Sequence, residues 1–310
     1  MASLQHFLVP LDGSVMAEAA LPIAVGLGRP LGARITLVHV VERSAPRTIH
    51  GEPHLRDPAS AAAYLPAVAQ RWASEDIVID WHVETAEAGD VARGIVAYAE
   101  AIGADLIILT THGSGGLRDL LFGSIAQQVV RRGKIPTVIV RPPTGGQLEP
   151  YACRTILVPL DGSRDAEIAL DYAQTIARAT GARLMLASVV PTIGTASGDL
   201  VVSATFTPTA TAALLDLVQD DAARYLEAKA SALREEGREV HTSVTRGRTA
   251  QQLAQVADLN QVNLIVLATH GRSGLDGTFA GSVAPRLLSE FSQPVLLVRI
   301  TGDERITGNT

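Results

Sequence analysis

Cysteine is almost absent from the 310-residue chain, which contains Cys153 alone. A single cysteine excludes an intramolecular disulfide and any cysteine-rich metal site. A basic excess is also missing: 26 Lys+Arg against 32 Asp+Glu leave a net charge of −6, which disfavours general nucleic-acid binding. No apolar run approaches the roughly 18–20 residues of a membrane span, and the chain does not start with a secretory signal pattern. We therefore expect a cytoplasmic protein that binds neither nucleic acid nor membrane.

The chain carries one sequence pattern twice. Residues 8–14 read LVPLDGS, and residues 157–163 read LVPLDGS again. Further along, ADLIILTTHG at 104–113 matches VNLIVLATHG at 262–271. A period near 150 residues is far longer than a solenoid unit, so it indicates duplication of a whole domain. With 47% hydrophobic residues, each copy can bury its own core.

A Pro- and Gly-rich segment separates the two copies. Residues 141–150 read RPPTGGQLEP, and such a segment cannot continue a helix or a central strand. We place domain 1 at 1–143, a linker at 144–150, domain 2 at 151–300 and a polar tail at 301–310.

Short apolar runs alternate with helical patterns in each copy. In the first copy the runs are Phe7–Leu11, Ile35–Val41, Ile77–Val83, Leu106–Leu109 and Thr137–Val140, and the helical stretches lie near 15–31, 60–75, 90–102 and 124–132. Nearly continuous apolar strands are typical of parallel sheets buried on both faces. The alternation predicts an α/β fold of two tandem doubly wound domains, each a five-stranded parallel sheet with helices on both faces.

The first candidate site follows the first strand of each copy. In an open parallel sheet, ligands bind beyond the carboxyl ends of the strands, where the strand order reverses. Asp12 and Ser14 lie just after the carboxyl end of the first predicted strand, and Asp161 and Ser163 occupy the same positions in the second copy. The serines are candidate helix caps. Each aspartate is either a turn residue or a hydrogen-bond acceptor for a ribose or a base.

The second candidate site is a glycine-bearing loop after the fourth strand. Each copy reads Thr-His-Gly, nine residues, then Gly-Ser at the start of a helix. Glycines let backbone N–H groups approach an anion, and a helix start presents unpaired N–H groups to phosphate. The alternative is a structural turn with an ordinary serine cap. The residues concerned are Gly113, Gly123 and Ser124, and Gly271, Gly281 and Ser282.

Both copies resemble universal stress protein domains, and the resemblance covers almost the entire chain. It rests on VPLDGS, the strand-two valine, Gly-Asp at 89–90 and the Gly-x2-Gly-x9-Gly-Ser/Thr loop. It implies an adenine nucleotide alpha hydrolase-like fold and the ATP-binding subclass, with Asp and Val near adenosine and the loop near ribose and phosphates. The implied ATP-binding residues are Asp12, Val40, Gly113, Gly123 and Ser124 in copy one, and Asp161, Val189, Gly271, Gly281 and Ser282 in copy two.

The chain departs from the family pattern at two places. The first loop glycine is Thr110 in copy one and Ala268 in copy two, and Gly247-Arg248 replaces Gly-Asp at 89–90. The two sites are therefore not expected to be equivalent.

The resemblance implies an ATP-binding tandem universal stress protein that acts as a nucleotide-responsive regulatory or protective protein, with ATP bound alone or with Mg²⁺ or Mn²⁺. A slow ATP hydrolase or phosphotransferase using the same pocket, and a nucleotide-free interaction protein, remain alternatives. The Walker lysine motif and an evident general base are missing, so no catalytic residue or protein metal ligand is assigned. The resemblance also implies an intramolecular pseudo-dimer through Thr137–Val140 and Val295–Val298, and leaves open a homodimer of whole chains.

Overall fold

A computed structural model of the chain describes residues 2–42, 48–49, 52–86, 90–111, 124–143, 148–195, 208–270 and 288–300. The strands are β1 (His6–Pro10), β2 (Arg34–Glu42), β3 (Thr48–Ile49), β4 (Glu52–Pro53), β5 (Ile79–Ala86), β6 (Leu106–Thr110), β7 (Thr137–Val140), β8 (Thr155–Pro159), β9 (Arg183–Val190), β10 (Val240–Arg246), β11 (Leu264–His270) and β12 (Val295–Ile300). The helices are α1 (Val15–Glu18), α2 (Ala20–Leu31), α3 (Pro58–Trp72), α4 (Val91–Ala101), α5 (Ser124–Arg132), α6 (Arg164–Thr180), α7 (Pro208–Glu235) and α8 (Thr249–Leu259).

Ten of the strands form one continuous sheet in the order β10-β9-β8-β11-β12-β7-β6-β1-β2-β5. The five strands of each domain are parallel. β12 and β7 join the halves as an antiparallel pair, with Val295 opposite Ile139 and Leu297 opposite Thr137. The predicted α/β fold is confirmed, and so is the pairing of the last strands. The two predicted sheets continue into each other as one.

The core lies on both faces of this sheet. Successive residues of a strand point to opposite faces, so Phe7 packs into one apolar cluster and Leu8 into the other. The Phe7 cluster lies beneath α2, α3, α6 and α7, whereas the Leu8 cluster lies beneath α4, α5 and α8. Burial on both faces explains why the strands read as nearly continuous apolar runs.

The helix predicted over 15–31 is two helices with a break at Ala19. Pro22 lacks the N–H that would bond the carbonyl of Glu18, and its ring crowds that carbonyl. In domain 2 the equivalent position is Asp171, and α6 runs unbroken through it. The proline therefore accounts for the difference between the copies.

A buried carboxylate attaches α3 to α1. Glu18 accepts hydrogen bonds from the Tyr64 phenol at 2.9 Å and from the Arg71 guanidinium at 2.8 Å on each oxygen. Burial and the neighbouring carboxylate raise the pKa of Tyr64 above its usual range. Glu167 repeats this arrangement in domain 2, where it accepts the Tyr225 phenol at 2.9 Å. Both copies thus hold the helix that follows their second strand in the same way.

Three further observations concern membrane-spanning helices, metal ligands and the cysteine. No helix in the described part of the chain has both the length and the apolar character to cross a bilayer. The same residues contain no group of three or more His, Cys, Asp or Glu side chains able to hold a metal ion. Cys153 is buried, and burial raises the pKa of its thiol to about 12. That thiol is therefore a protonated core residue at neutral pH.

Candidate functional site

A cavity of about 150 Å³ opens at the carboxyl ends of β1, β2 and β6. From β1 the chain crosses to β2 on one side and later returns to β6 on the other, so the strand order reverses at this point. Ligands of doubly wound sheets bind at such a reversal. Asp12, Val40 and Thr110 all line the cavity, so the fold brings together residues that lie far apart in the sequence.

The wall of the cavity is apolar on one side and polar on the other. The apolar side chains include Val38, Val40, Ile95, Leu109 and Ile125, and the polar ones include Asp12, His39, Glu42, His54 and Thr110. Asp12 and Glu42 contribute carboxylates, whereas the described lining contains neither lysine nor arginine. The described wall therefore combines an apolar surface with acidic and histidine side chains.

The turn after β1 is built by hydrogen bonds between its own residues. Asp12 Oδ1 accepts the backbone N–H of Ser14 at 2.9 Å and its hydroxyl at 2.6 Å. Ser14 Oγ in turn accepts the N–H of Ala17 at 3.1 Å and caps α1. Asp161 and Ser163 repeat these bonds in domain 2. The predicted capping role of the serines is confirmed, and Asp12 faces the cavity while it holds the turn.

The segment before α3 covers this turn in domain 1. A methyl group at Gly13 would lie 2.8 Å from the Leu55 side chain, so the two are in close contact. Nδ1 of the buried His39 lies 2.7 Å from the Leu11 carbonyl oxygen, and Nε2 lies 2.9 Å from that of Leu55. His39 therefore connects the end of β1 to the covering segment.

The sequence interpretation did not single out His39, His54 or Glu42 as site residues. A signal was present for His39, because a histidine inside the apolar run of a buried strand must find polar partners. The domain 2 equivalent is Ser188, also buried. A serine is too short to reach a covering segment as the imidazole does.

The amino end of α5 faces the cavity. Ser124 begins this helix, and Ile125 and Ala126 in its first turn line the cavity. The first N–H groups of a helix have no intrahelical acceptor, and this end carries the positive part of the helix dipole. Gly113 and Gly123 lie outside the described residues. The position of α5 fits the prediction that its start can meet an anion.

Domain 2 presents its candidate residues differently. Asp161 is exposed, whereas Asp12 is half-buried. Val189 is half-buried and packs against the cluster beneath α8. Gly271, Gly281 and Ser282 lie outside the described residues. The expectation that the two sites differ agrees with the unequal exposure of their aspartates.

Asp90 also differs from its counterpart. Its carboxylate forms ion pairs with Arg93 and Arg132, each at 2.7 Å, and so joins the start of α4 to the end of α5. In domain 2 the same helix-start position is occupied by Arg248, and the position of Arg132 by Glu290, so the two charges are exchanged. Asp90 therefore holds two cavity-lining helices together.

The sequence and the fold are both similar to those of known proteins. The universal stress protein family profile matches residues 3–141 and 152–299. A universal stress protein of Mycolicibacterium smegmatis is 26% identical over 306 residues, covering 94% of this chain and 96% of its own. The solved structure of a universal stress protein from Archaeoglobus fulgidus superposes with a TM-score of 0.68 at 19% identity, covering 97% of this chain and 98% of its own. The structure of a universal stress protein from Pseudomonas aeruginosa superposes with a TM-score of 0.65 at 18% identity, covering 96% of this chain and 94% of its own.

The fold and the repeat define a tandem α/β protein in which two doubly wound domains share one sheet. The family profile covers nearly all of both repeats. The chain belongs to the universal stress protein family.

Proposed function

We propose that the domain 1 cavity binds an adenine nucleotide, ATP with Mg²⁺ or Mn²⁺, and that the chain acts as a nucleotide-responsive protein in the stress response. One observation carries this proposal: Asp12, Val40 and the first turn of α5 surround the same cavity. Asp12 and Val40 are the residues expected near adenosine, and α5 follows the loop expected near the phosphates. The strand reversal is where such a fold binds ligands.

The shape and chemistry of the cavity suit one end of a nucleotide. At about 150 Å³ it is smaller than the roughly 300–1,000 Å³ of common ligand pockets. The apolar side formed by Val38, Val40 and Leu109 suits a base, and the Asp12 carboxylate can accept a ribose hydroxyl. The phosphates would then extend towards the amino end of α5, where free N–H groups stabilise an anion.

Charge determines what must accompany the nucleotide. Asp12 adds a carboxylate to the wall, and the amino end of α5 adds the positive part of a helix dipole. A triphosphate bound here would be offset by that helix end and by a divalent cation bound with it. The cation, when bound, supplies this neutralisation.

Two histidines line the cavity, His39 and His54. Each ring nitrogen of His39 lies within 2.9 Å of a backbone carbonyl oxygen, so His39 holds the covering segment in place. Nδ1 of His54 is buried and has no hydrogen-bond partner among the described residues, so slow hydrolysis, the alternative to binding alone, would use His54 as its general base.

Isothermal titration calorimetry with ATP and Mg²⁺ tests the proposal on the whole chain. Asp12→Asn keeps an oxygen for the Ser14 N–H but removes the charge, so we expect affinity at the domain 1 site to fall about 10- to 150-fold, the equivalent of one charge-assisted hydrogen bond. Asp161→Asn is the matched change in domain 2 and is expected to leave the domain 1 site unchanged. Binding that is unaltered by Asp12→Asn, or absent from the parent chain, would overturn the proposal.

A further inference from the structure

An arginine of each domain donates hydrogen bonds to backbone carbonyl groups of the other domain, at the carboxyl end of α5 in domain 1 and at the helical residues 288–290 in domain 2. Arg299 lies in β12, and its Nη1 donates hydrogen bonds to the carbonyl oxygens of Gly133 at 2.5 Å and Arg131 at 3.2 Å, at the end of α5. Arg141 follows β7, and its Nη2 donates to the carbonyl oxygens of Leu288 at 3.0 Å and Ser289 at 3.2 Å. The two contacts are related by the same repeat that relates the domains.

The physical basis of this contact is the unpaired end of the helix. The last carbonyl groups of a helix have no intrahelical donor, and this end carries the negative part of the dipole. A guanidinium that donates to these oxygens satisfies them and is attracted by that dipole. Arg299 is half-buried, so its bonds are partly shielded from water. The carboxyl end of α5 is thus fixed by a residue of domain 2.

The opposite end of α5 is the part that faces the cavity. The helix has nine residues and is therefore only about 13 Å long. A displacement at its carboxyl end would move its first turn, where Ile125 and Ala126 line the cavity. The ion pair of Arg132 with Asp90 fixes the same end to α4, whose Val91 also lines the cavity.

We infer that Arg299 of domain 2 is a positioning residue for the nucleotide site of domain 1. It acts through α5, whose amino end must stay in place to meet the phosphates. The nucleotide affinity of the domain 1 site then depends on Arg299 in β12, the last strand of domain 2. Contacts across the β7–β12 junction would in this way influence nucleotide binding in domain 1. This inference rests on the proposed nucleotide function of the domain 1 cavity.

Titration of ATP with Mg²⁺ tests the inference on the whole chain. An Asp161→Asn background reduces any contribution from domain 2. Arg299→Ala is expected to weaken binding about two- to thirtyfold, the range in which residues remote from a ligand modulate affinity. Arg299→Lys keeps the charge and one donor group, so it is expected to recover part of the loss. Arg141→Ala is the matched control, since it removes the same kind of contact from the helix end at Leu288 and leaves α5 anchored.

Hydrogen exchange of the α5 amides in the nucleotide-free chain provides a second readout. Arg299→Ala is expected to speed this exchange, and Arg141→Ala is not. Faster exchange with unchanged affinity would overturn the inference and leave Arg299 a structural residue only. Equal weakening by both alanine variants would also overturn it, because general destabilisation would then explain the loss. If the parent chain binds no nucleotide, the proposed function itself fails, which is distinguishable from a parent that binds and is indifferent to Arg299.

Discussion

Replacing Gly13 by alanine is expected to destabilise the chain more than the same change at Gly162, its equivalent in domain 2. Both glycines have a positive φ, +94° and +86°, so alanine at either position bears a backbone cost of about 1–2 kcal/mol. At Gly13 the new methyl would also lie 2.8 Å from Leu55 Cγ, whereas at Gly162 it would meet none of the described residues within 4 Å. Overpacking of this kind adds about 1–3 kcal/mol. We therefore expect Gly13→Ala to cost about 2–5 kcal/mol and Gly162→Ala about 1–2 kcal/mol.

Urea unfolding followed by circular dichroism measures both costs through the transition midpoints. The contact with Leu55 can be isolated by repeating the pair in a Leu55→Ala background, where the two glycine substitutions are expected to have similar effects. Equal costs in the parent chain, or a larger cost at Gly162, would refute the reasoning that the segment containing Leu55 is packed onto the turn after β1.

Three further changes follow from the fold. Gly26→Ala would place a methyl 2.4 Å from the carbonyl oxygen of Tyr151, so we expect a loss of about 1–3 kcal/mol in urea unfolding. Burial, together with a neighbouring arginine, lowers the pKa of His6. The unfolded chain therefore takes up a proton at His6 more readily than the folded chain, and the free energy of unfolding falls as the pH drops below the unfolded pKa of about 6.5. His6→Thr removes this titrating group, so it is expected to reduce the fall between pH 7 and 5. Glu18→Gln removes the charge that binds Arg71 and is expected to cost about 1–3 kcal/mol in the same unfolding assay.

The chain offers matched controls for the Gly26 and Glu18 changes. Gly28→Ala lies in the same helix, where the new methyl would lie 3.2 Å from the flexible end of Ile77 and at ordinary contact distance from Phe7 and Ile35, 3.5 and 3.6 Å. Its gain in helix propensity is therefore expected to leave it near neutral. Glu167→Gln repeats the Glu18 change where the side chain is 30% exposed rather than 9%, and is expected to cost less. Similar losses within either pair, or an unchanged pH profile for His6→Thr, would contradict these predictions.

Most of the fold is readable from the sequence because the strands are buried on both faces. The prediction for Thr137–Val140 matches β7 residue for residue. The third long strand was predicted to begin at Ile77, but Ile77 forms only a bridge with Ser74 and β5 begins at Ile79. The short β3 and β4 hairpin was not predicted, because strands of two residues carry no periodic pattern.

The candidate site is readable only in part. Asp12 and Val40 were predicted, and the fold places both at one cavity, although their binding role stays a prediction. His39 was not predicted as a site residue because its partners are backbone carbonyls of Leu11 and Leu55. Such contacts depend on how the chain folds over the strand ends, and side-chain identity alone does not specify them.

The nucleotide content of freshly purified protein tests the central claim most directly. Nucleotide released by acid is identified by chromatography and counted as moles per chain. The account predicts adenine nucleotide at about one equivalent, since Asp12 is half-buried at its cavity whereas Asp161 is exposed. A protein that releases none, and that also fails to bind added ATP in the presence of Mg²⁺, would contradict it.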